Sequence, residues 1–274
     1  MKKVAIVGAG ISGLYLANEL NKNTEIDYKI FEKKDYLNLN EGYGIQLSVN
    51  SINLLNKVGF KNISASDVYY PTKVNFFQAN NIKKICEIDL KQFNNVNDRY
   101  TTLKRSTLIK FLISNIPEEK IQFKADIQNI EYNEKIKISW NNKNENFDYI
   151  VIADGVFSKL KSQISNNHLN PIFNGNIALR ANLKKHEKDN ISVYMGSNFH
   201  YVTYPVNQKL EYNFVAIIKK KLTTKEIENK NILNSETFIK SLKDFISKNS
   251  VITLESLANI MCFPVFLSTE LPTL

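Results

Sequence analysis

Gly8-Ala9-Gly10-Ile11-Ser12-Gly13 sets three glycines at the G-x-G-x-x-G spacing, between the apolar run "KVAIVG" and the helix-like run "ISGLYLANELNK". The spacing alone is a weak signal, and its setting gives it chemistry. The first glycine permits a tight turn, the second lets a pyrophosphate approach the backbone, and the third lets helix and strand pack closely. Free N–H groups at the start of the helix then face the phosphates. Glu32 ends the next apolar run, nineteen residues after Gly13, where a carboxylate accepts hydrogen bonds from an unphosphorylated adenosine ribose. The pattern predicts a dinucleotide-binding βαβ unit and does not separate NAD from FAD.

Two other stretches carry chemistry. In "YIVIADGVFSKLKS" apolar residues climb to Asp154-Gly155 and resume at Val156-Phe157, which fits either a hairpin with an Asp-Gly turn or a buried strand that delivers Asp154 to a nucleotide. In "HYVTYP" His200 and Tyr204 lie four residues apart, so the period-2 alternation of a strand puts both on one face. Facing a pocket, they would hydrogen-bond and deprotonate a phenol. Gln46, in "GYGIQLSV", is a weaker candidate of the same polar kind. His168 and His186 fall in polar sequence, and no metal-ligand spacing joins the three histidines.

The elements around these residues alternate strand and helix up to about residue 70 and then change character. "SVNSINLLNKVGF" reads as a helix stopped by Gly59, and "KVNFFQA" and "KKICEIDL" as short strands around a polar turn. "LKRSTLIKFLISNI" returns to helical spacing. "YIVIADG", being fully apolar, is expected to be buried on both faces of a parallel sheet. Beyond residue 170 the segments "ALRANL", "ISVYMG", "HYVTYPV" and "LEYNFVAIIKK" alternate like an antiparallel sheet, followed by a helix, "SETFIKSLKDFISK".

Composition narrows the class. With 274 residues, 43% of them hydrophobic, the chain can build one large domain or two interleaved ones. The net charge of +9 is dispersed among asparagines and isoleucines, so it speaks to solubility rather than to a nucleic-acid face. Cys86 and Cys262 stand far apart without a partner motif, which excludes a disulfide framework and a zinc site and fits a cytoplasmic setting. The apolar start is broken by glycines and lacks a cleavage site, so it reads as a first strand and helix rather than a signal peptide. No segment reaches the roughly eighteen apolar residues of a membrane span.

Taken in order, the motifs resemble those of the single-component FAD-dependent aromatic hydroxylases, the group that includes para-hydroxybenzoate hydroxylase and salicylate hydroxylase. The resemblance runs over nearly the whole chain and rests on the glycine fingerprint with Glu32, "GYGIQLSVNSINLLNKVGF", "LKRSTLIKFL", "ADGVFSKLK" and "VYMGSNFHYVTYPVNQKLEYNFVAII". It implies an α/β fold in which a Rossmann-like FAD-binding domain of the glutathione-reductase type, residues 1–70 and 98–165, is interleaved with an antiparallel-sheet substrate domain, residues 71–97 and 166–265. Residues 266–274 would begin the return to the FAD domain.

The same resemblance implies that Gly8, Gly10, Ser12, Gly13 and Glu32 hold the ADP half of FAD, with Ile127 by the adenine. Gly44 and Ile45 would lie near the flavin, Arg105 would supply charge to the phosphates or ribityl chain, and Asp154 would serve the flavin side and NAD(P)H. The implied reaction is hydroxylation of a small aromatic or heteroaromatic acid through a flavin C4a-hydroperoxide, with NADH or NADPH as transient reductant, O2 as co-substrate, and His200 and Tyr204 acting on the substrate. A flavoprotein hydroxylase or reductase acting on a quinone precursor or isoprenoid lipid is the alternative and predicts a longer apolar channel, and a truncated non-catalytic remnant is the alternative to an enzyme.

Two departures from the family stand out. Lys161 occupies the arginine position of the D-G-x-x-S-x-x-R motif, keeping the charge but losing the bidentate fork. The chain also stops at "CFPVFLSTELPTL", where a Gly-Asp motif for the ribityl and pyrophosphate region is expected, which implies C-terminal truncation. With the fingerprint supplying a nucleotide and "VFSKLKS" continuing at helical spacing, the parallel strand is the expected form of "YIVIADG".

Overall fold

The computed structural model describes residues 1–39, 43–161, 163, 170–183, 189–251 and 254–268. His168 and His186 lie outside the described residues. The chain divides into two compact units, Met1–Asn40 with Ser106–Ile172 and Phe266–Leu274, and Glu41–Arg105 with Phe173–Val265. The division departs from the sequence boundaries, because residues 43–70 and 98–105 cluster with the second unit. The reason is a small sheet in the order Gly44–Leu47, Thr101–Lys104, Val68–Tyr69. It is tied to that unit's larger sheet where Gly44 N–H donates to Asn213 Oδ1 at 2.7 Å and Thr102 Oγ1 donates to the Pro205 carbonyl at 2.6 Å.

The first unit holds a parallel sheet in the order Tyr149–Ile152, Lys2–Val7, Ile26–Phe31, Ile121–Gln122. Lys2–Val7 is central, and Val4 to Val7 are buried. "YIVIADG" is therefore the parallel strand and not a hairpin, with Ala153 N–H donating to the Val7 carbonyl at 2.7 Å. Burial on both faces does not hold: the strand forms the sheet edge, leaving Tyr149 55% and Val151 38% exposed.

A three-stranded antiparallel sheet, Asn129–Tyr132, Ile136–Trp140 and Lys143–Phe147, closes the core of this unit. Phe31 meets Trp140 and Phe147 edge to face at ring distances of 4.8 and 5.7 Å. Helix Ile11–Leu20 joins helix Arg105–Ser114 through the buried Asn18, whose Nδ2 donates to the Leu14 and Leu112 carbonyls, both at 2.8 Å.

The second unit holds a seven-stranded sheet in the order Leu257–Leu267, Ile172–Leu183, Tyr212–Lys219, Phe199–Pro205, Ile191–Met195, Lys73–Gln78, Lys84–Asp89. One face carries Tyr194, Phe199, Tyr201 and Phe214, and is covered by helix Glu236–Asn249 through Leu242 and Ile246. Ser235 caps that helix, its Oγ accepting from Phe238 N–H at 3.3 Å. The opposite face carries Ile191, Val193, Val202 and Tyr204.

Asn18→Ala would strand the Leu112 carbonyl in the core and is expected to cost roughly 1–3 kcal/mol. Urea unfolding followed by the fluorescence of Trp140, the only tryptophan and part of the first unit, measures it directly. A loss under about 0.5 kcal/mol would mean that the carbonyl regains water.

Candidate functional site

In the first unit the glycine loop is shaped by close backbone approach. Gly8 sits at φ +105°, and a Cβ there would lie 2.5 Å from the Ala153 carbonyl oxygen and 2.9 Å from Asp154 Cα. A Cβ on Gly13 would lie 2.0 Å from the Gly8 carbonyl oxygen. Both glycines are thus demanded by the fold. Gly10 is different: a Cβ there would meet nothing within 4 Å. The chain's own packing does not require that glycine, whereas a phosphate resting on the backbone does. Ser12 is exposed in the first turn, and the first intrahelical bond runs from Leu14 N–H to the Gly10 carbonyl at 2.9 Å, leaving the preceding N–H groups for a ligand.

Glu32 is 8% exposed and binds the loop itself. Its Oε2 accepts from Ala9 N–H at 2.9 Å and its Oε1 from Lys34 N–H at 3.0 Å. A carboxylate offers about four lone-pair sites, so acceptor capacity remains for a ribose. Asp154 stands beside the same loop, and its Oδ1 is buried with no hydrogen-bond partner among the described residues. A buried carboxylate oxygen left unpaired is costly, and a ligand hydroxyl is a donor of the right kind. Ile127 is buried in the unit's core, two residues after Ala125, whose N–H donates to the Glu32 carbonyl at 2.9 Å. Gly8, Gly10 and Gly13 thus form one loop, held by Glu32, with room for a phosphate, and Asp154 stands beside it.

The remaining named residues belong to the second unit. Gly44 is buried against side chains of the larger sheet; a Cβ there would fall 2.7 Å from Val206 Cγ1 and 2.8 Å from Tyr204 Cε2. Ile45 is half-buried and pairs with Leu103. Arg105 is half-buried at the head of its helix, and its N–H donates to the Tyr43 carbonyl at 2.8 Å.

His200 and Tyr204 share the sheet face opposite helix Glu236–Asn249, as alternation predicts. Four residues of strand nevertheless separate them by about 13 Å. His200 is exposed, between Met195 and Ile217 on the neighbouring strands, and desolvation by its surroundings lowers its pKa. Tyr204 is 3% exposed and hydrogen-bonded to Gln46; burial pushes its phenol well above the ordinary value, and the Arg180 charge opposes that only in part. Tyr204 therefore stays protonated at neutral pH and acts as a hydrogen-bonding group, not as a base.

A cavity of about 620 Å³ opens on this same face. Val74, Phe76, Ile191, Val193 and Val202 form its floor, and Gln46, Ser48, Asn50 and Tyr100 supply its polar wall. Tyr100 O–H donates to Gln46 Oε1 at 2.9 Å, completing a chain from Tyr100 through Gln46 to Tyr204. Tyr100 and Arg180 were not singled out from the sequence. Alternation in "ALRANL" would have put Arg180 on one face with Ala178 and Asn182, but the face it shares with Val202 depends on the strand order.

Residues 6–40 match the family model described as an NAD(P)-binding Rossmann-like domain. HpxO of Klebsiella pneumoniae, solved with FAD and uric acid, superposes with a TM-score of 0.78 at 14% identity, covering 97% of this chain and 68% of that one. A salicylate hydroxylase substrate complex superposes with a TM-score of 0.74 at 16% identity, covering 99% of this chain and 70% of that one. The chain has the fold of the FAD-dependent aromatic hydroxylases.

Sequence likeness runs the same way. Salicylate hydroxylase of Pseudomonas putida is 24% identical over 237 residues, covering 78% of this chain and 54% of the relative. The FAD-dependent monooxygenase dpfgE of Gibberella zeae is 25% identical over 170 residues, covering 59% and 36%. The chain thus spans about half the length or less of these curated relatives. Among the described residues no helix is long and apolar enough to cross a membrane, and no cluster of metal-ligating side chains occurs.

Gly10→Ala separates the fold requirement of the glycine loop from its ligand requirement. With open space at the Cβ, the melting temperature should stay within about 2 °C, since nothing in the fold is lost. Affinity for FAD, followed by quenching of flavin fluorescence, should fall at least about tenfold as the methyl group displaces the phosphate. Unchanged affinity would mean that the phosphates lie elsewhere.

Proposed function

We propose that the chain is the nucleotide- and substrate-binding part of an FAD-dependent, NAD(P)H-using monooxygenase that hydroxylates an aromatic ring. The observation that carries the reading is the meeting of the Gly8 loop with Asp154, whose buried Oδ1 has no donor among the described residues. Bound FAD supplies the redox chemistry between NAD(P)H and O2. One oxygen atom enters a ring C–H bond, and the other leaves as water with the electrons of NAD(P)H and a proton.

The work left to the side chains is binding and exclusion of water. Glu32 and the loop N–H groups hold the ribose and phosphates. Ser12 stands exposed at the phosphate end of the helix. Arg105 adds positive charge in the second unit, and Gly44 and Ile45 present backbone on the segment next to the cavity wall. The valines of the cavity floor keep water from the reacting ring. Gln46 Oε1 accepts a hydrogen bond from Tyr100 O–H, which leaves lone-pair capacity on the Tyr100 oxygen to accept a hydrogen bond from a substrate hydroxyl. His200, with its lowered pKa, is neutral at pH 7 and able to take a proton at the open end of the face.

The apolar floor also favours the second reading, an oxygenase of a quinone precursor or isoprenoid lipid, over a small acid. Both readings share the cofactor and differ in the substrate.

Reconstitution with FAD should give a yellow protein whose NADH or NADPH oxidation rises on adding a phenol. Protein that stays colourless with excess FAD, or oxidation that no aromatic compound stimulates, sinks the reading. Tyr100→Phe removes one neutral hydrogen bond worth about 1 kcal/mol, so kcat/KM should drop roughly fivefold with FAD affinity unchanged.

A further inference from the structure

We propose that the cavity on the open sheet face takes an uncharged, largely hydrocarbon aromatic molecule of more than one ring, anchored at one end by a hydroxyl or carbonyl group. The proposal rests on the monooxygenase reading for the reaction and deepens it by naming the class of substrate.

Size is the first argument. The cavity measures about 620 Å³, whereas roughly 150 Å³ already holds benzene. A single-ring acid would leave most of that space to water, much of it over the apolar floor of Val74, Phe76, Ile191, Val193 and Val202.

Charge is the second. None of the residues lining the cavity is Lys, Arg, His, Asp or Glu. A carboxylate laid on Phe76, Val193 and Val202 would lose its hydration without gaining an ion partner. The cation nearest along the register is Arg180, which faces the same side two strands from Val202, across Val215. That is about 10 Å of sheet.

The polar wall is the third. Tyr100 and Gln46 are already hydrogen-bonded to each other, and Ser48 Oγ is hydrogen-bonded to Asn50 Oδ1. Groups of this kind recognise a neutral hydroxyl or carbonyl and fix which end of a long ring system enters first. The wall holds no guanidinium or ammonium to pair with a carboxylate.

Isothermal titration of the FAD-loaded chain with three probes tests the proposal. They are 2-naphthol, 3-hydroxy-2-naphthoate and phenol, which separate charge from size. We expect 2-naphthol to bind at least ten times more tightly than either of the others. Val202→Phe, which fills the floor, should abolish that binding while FAD affinity and circular dichroism stay the same, and Val202→Ala should retain it.

Equal or tighter binding of the naphthoate, lost in Arg180→Gln, would overturn the proposal in favour of an acid pocket. Failure of all three probes to bind would overturn it as well. The reaction is scored separately: 2-naphthol that binds but never stimulates NAD(P)H oxidation sinks the monooxygenase and leaves the pocket. Stimulation by the naphthoate without binding of 2-naphthol does the reverse.

Discussion

The first unit depends on one buried carboxylate. Glu32 ends the second parallel strand, and its two oxygens take the N–H groups of Ala9 and Lys34. Burying an ionised group is expensive unless hydrogen bonds replace its water, and here the backbone replaces it. The consequence is mechanical. The loop after the first strand is pinned to the end of the second, Gly8 is pressed against the Ala153 carbonyl, and Gly13 is pressed against Gly8. With those approaches fixed, the helix starts at Ile11, directly after Gly10, whose Cβ position is open. Glu32 thus holds the loop before it holds any ligand.

In the second unit the governing asymmetry is between the two faces of one sheet. Stacked rings of Tyr194, Tyr201 and Phe214, with centroids 4.5 and 5.5 Å apart, fill the face under helix Glu236–Asn249. The other face carries Val74, Ile191, Val193 and Val202 beside Phe76 and Tyr204, and a cavity opens over it. The same strand serves both: odd residues of Phe199–Pro205 build the core and even ones look onto the open face.

Much of this was legible in the sequence, and the limits have physical causes. The glycine spacing, Glu32, the parallel strand before Asp154 and helix Glu236–Asn249 follow from local periodicity and turn chemistry, which act within a few residues. The edge position of Tyr149–Ile152 does not, since an apolar run is the same at an edge and at a centre. Nor does the assignment of Gln46 and Tyr100 to one wall, because it needs the pairing of Gly44–Leu47 with Thr101–Lys104, more than fifty residues away. His200 and Tyr204 show the same limit in miniature: alternation gave their common face, but only the fold shows one buried against Gln46 and the other exposed.

Gly44 joins these levels. Read from the sequence it belongs beside a flavin; in the structure its missing side chain is what lets the strand lie against Tyr204, Val206 and Asn213. The N–H of Gly44 donates to Asn213, which fixes the strand along its length. Two residues further, Gln46 then arrives at the height of the Tyr204 hydroxyl and within 2.9 Å of the Tyr100 hydroxyl. A side chain at residue 44 would push the strand away from the sheet, and the polar wall of the cavity would go with it. Ser158 plays the corresponding part after Asp154: its Oγ accepts from Lys161 N–H at 3.3 Å, capping the turn that follows. The lysine in the family's arginine position therefore keeps its place through its backbone, whatever its side chain contributes. In both segments the residue that looks like a ligand contact first secures the geometry on which a contact would depend.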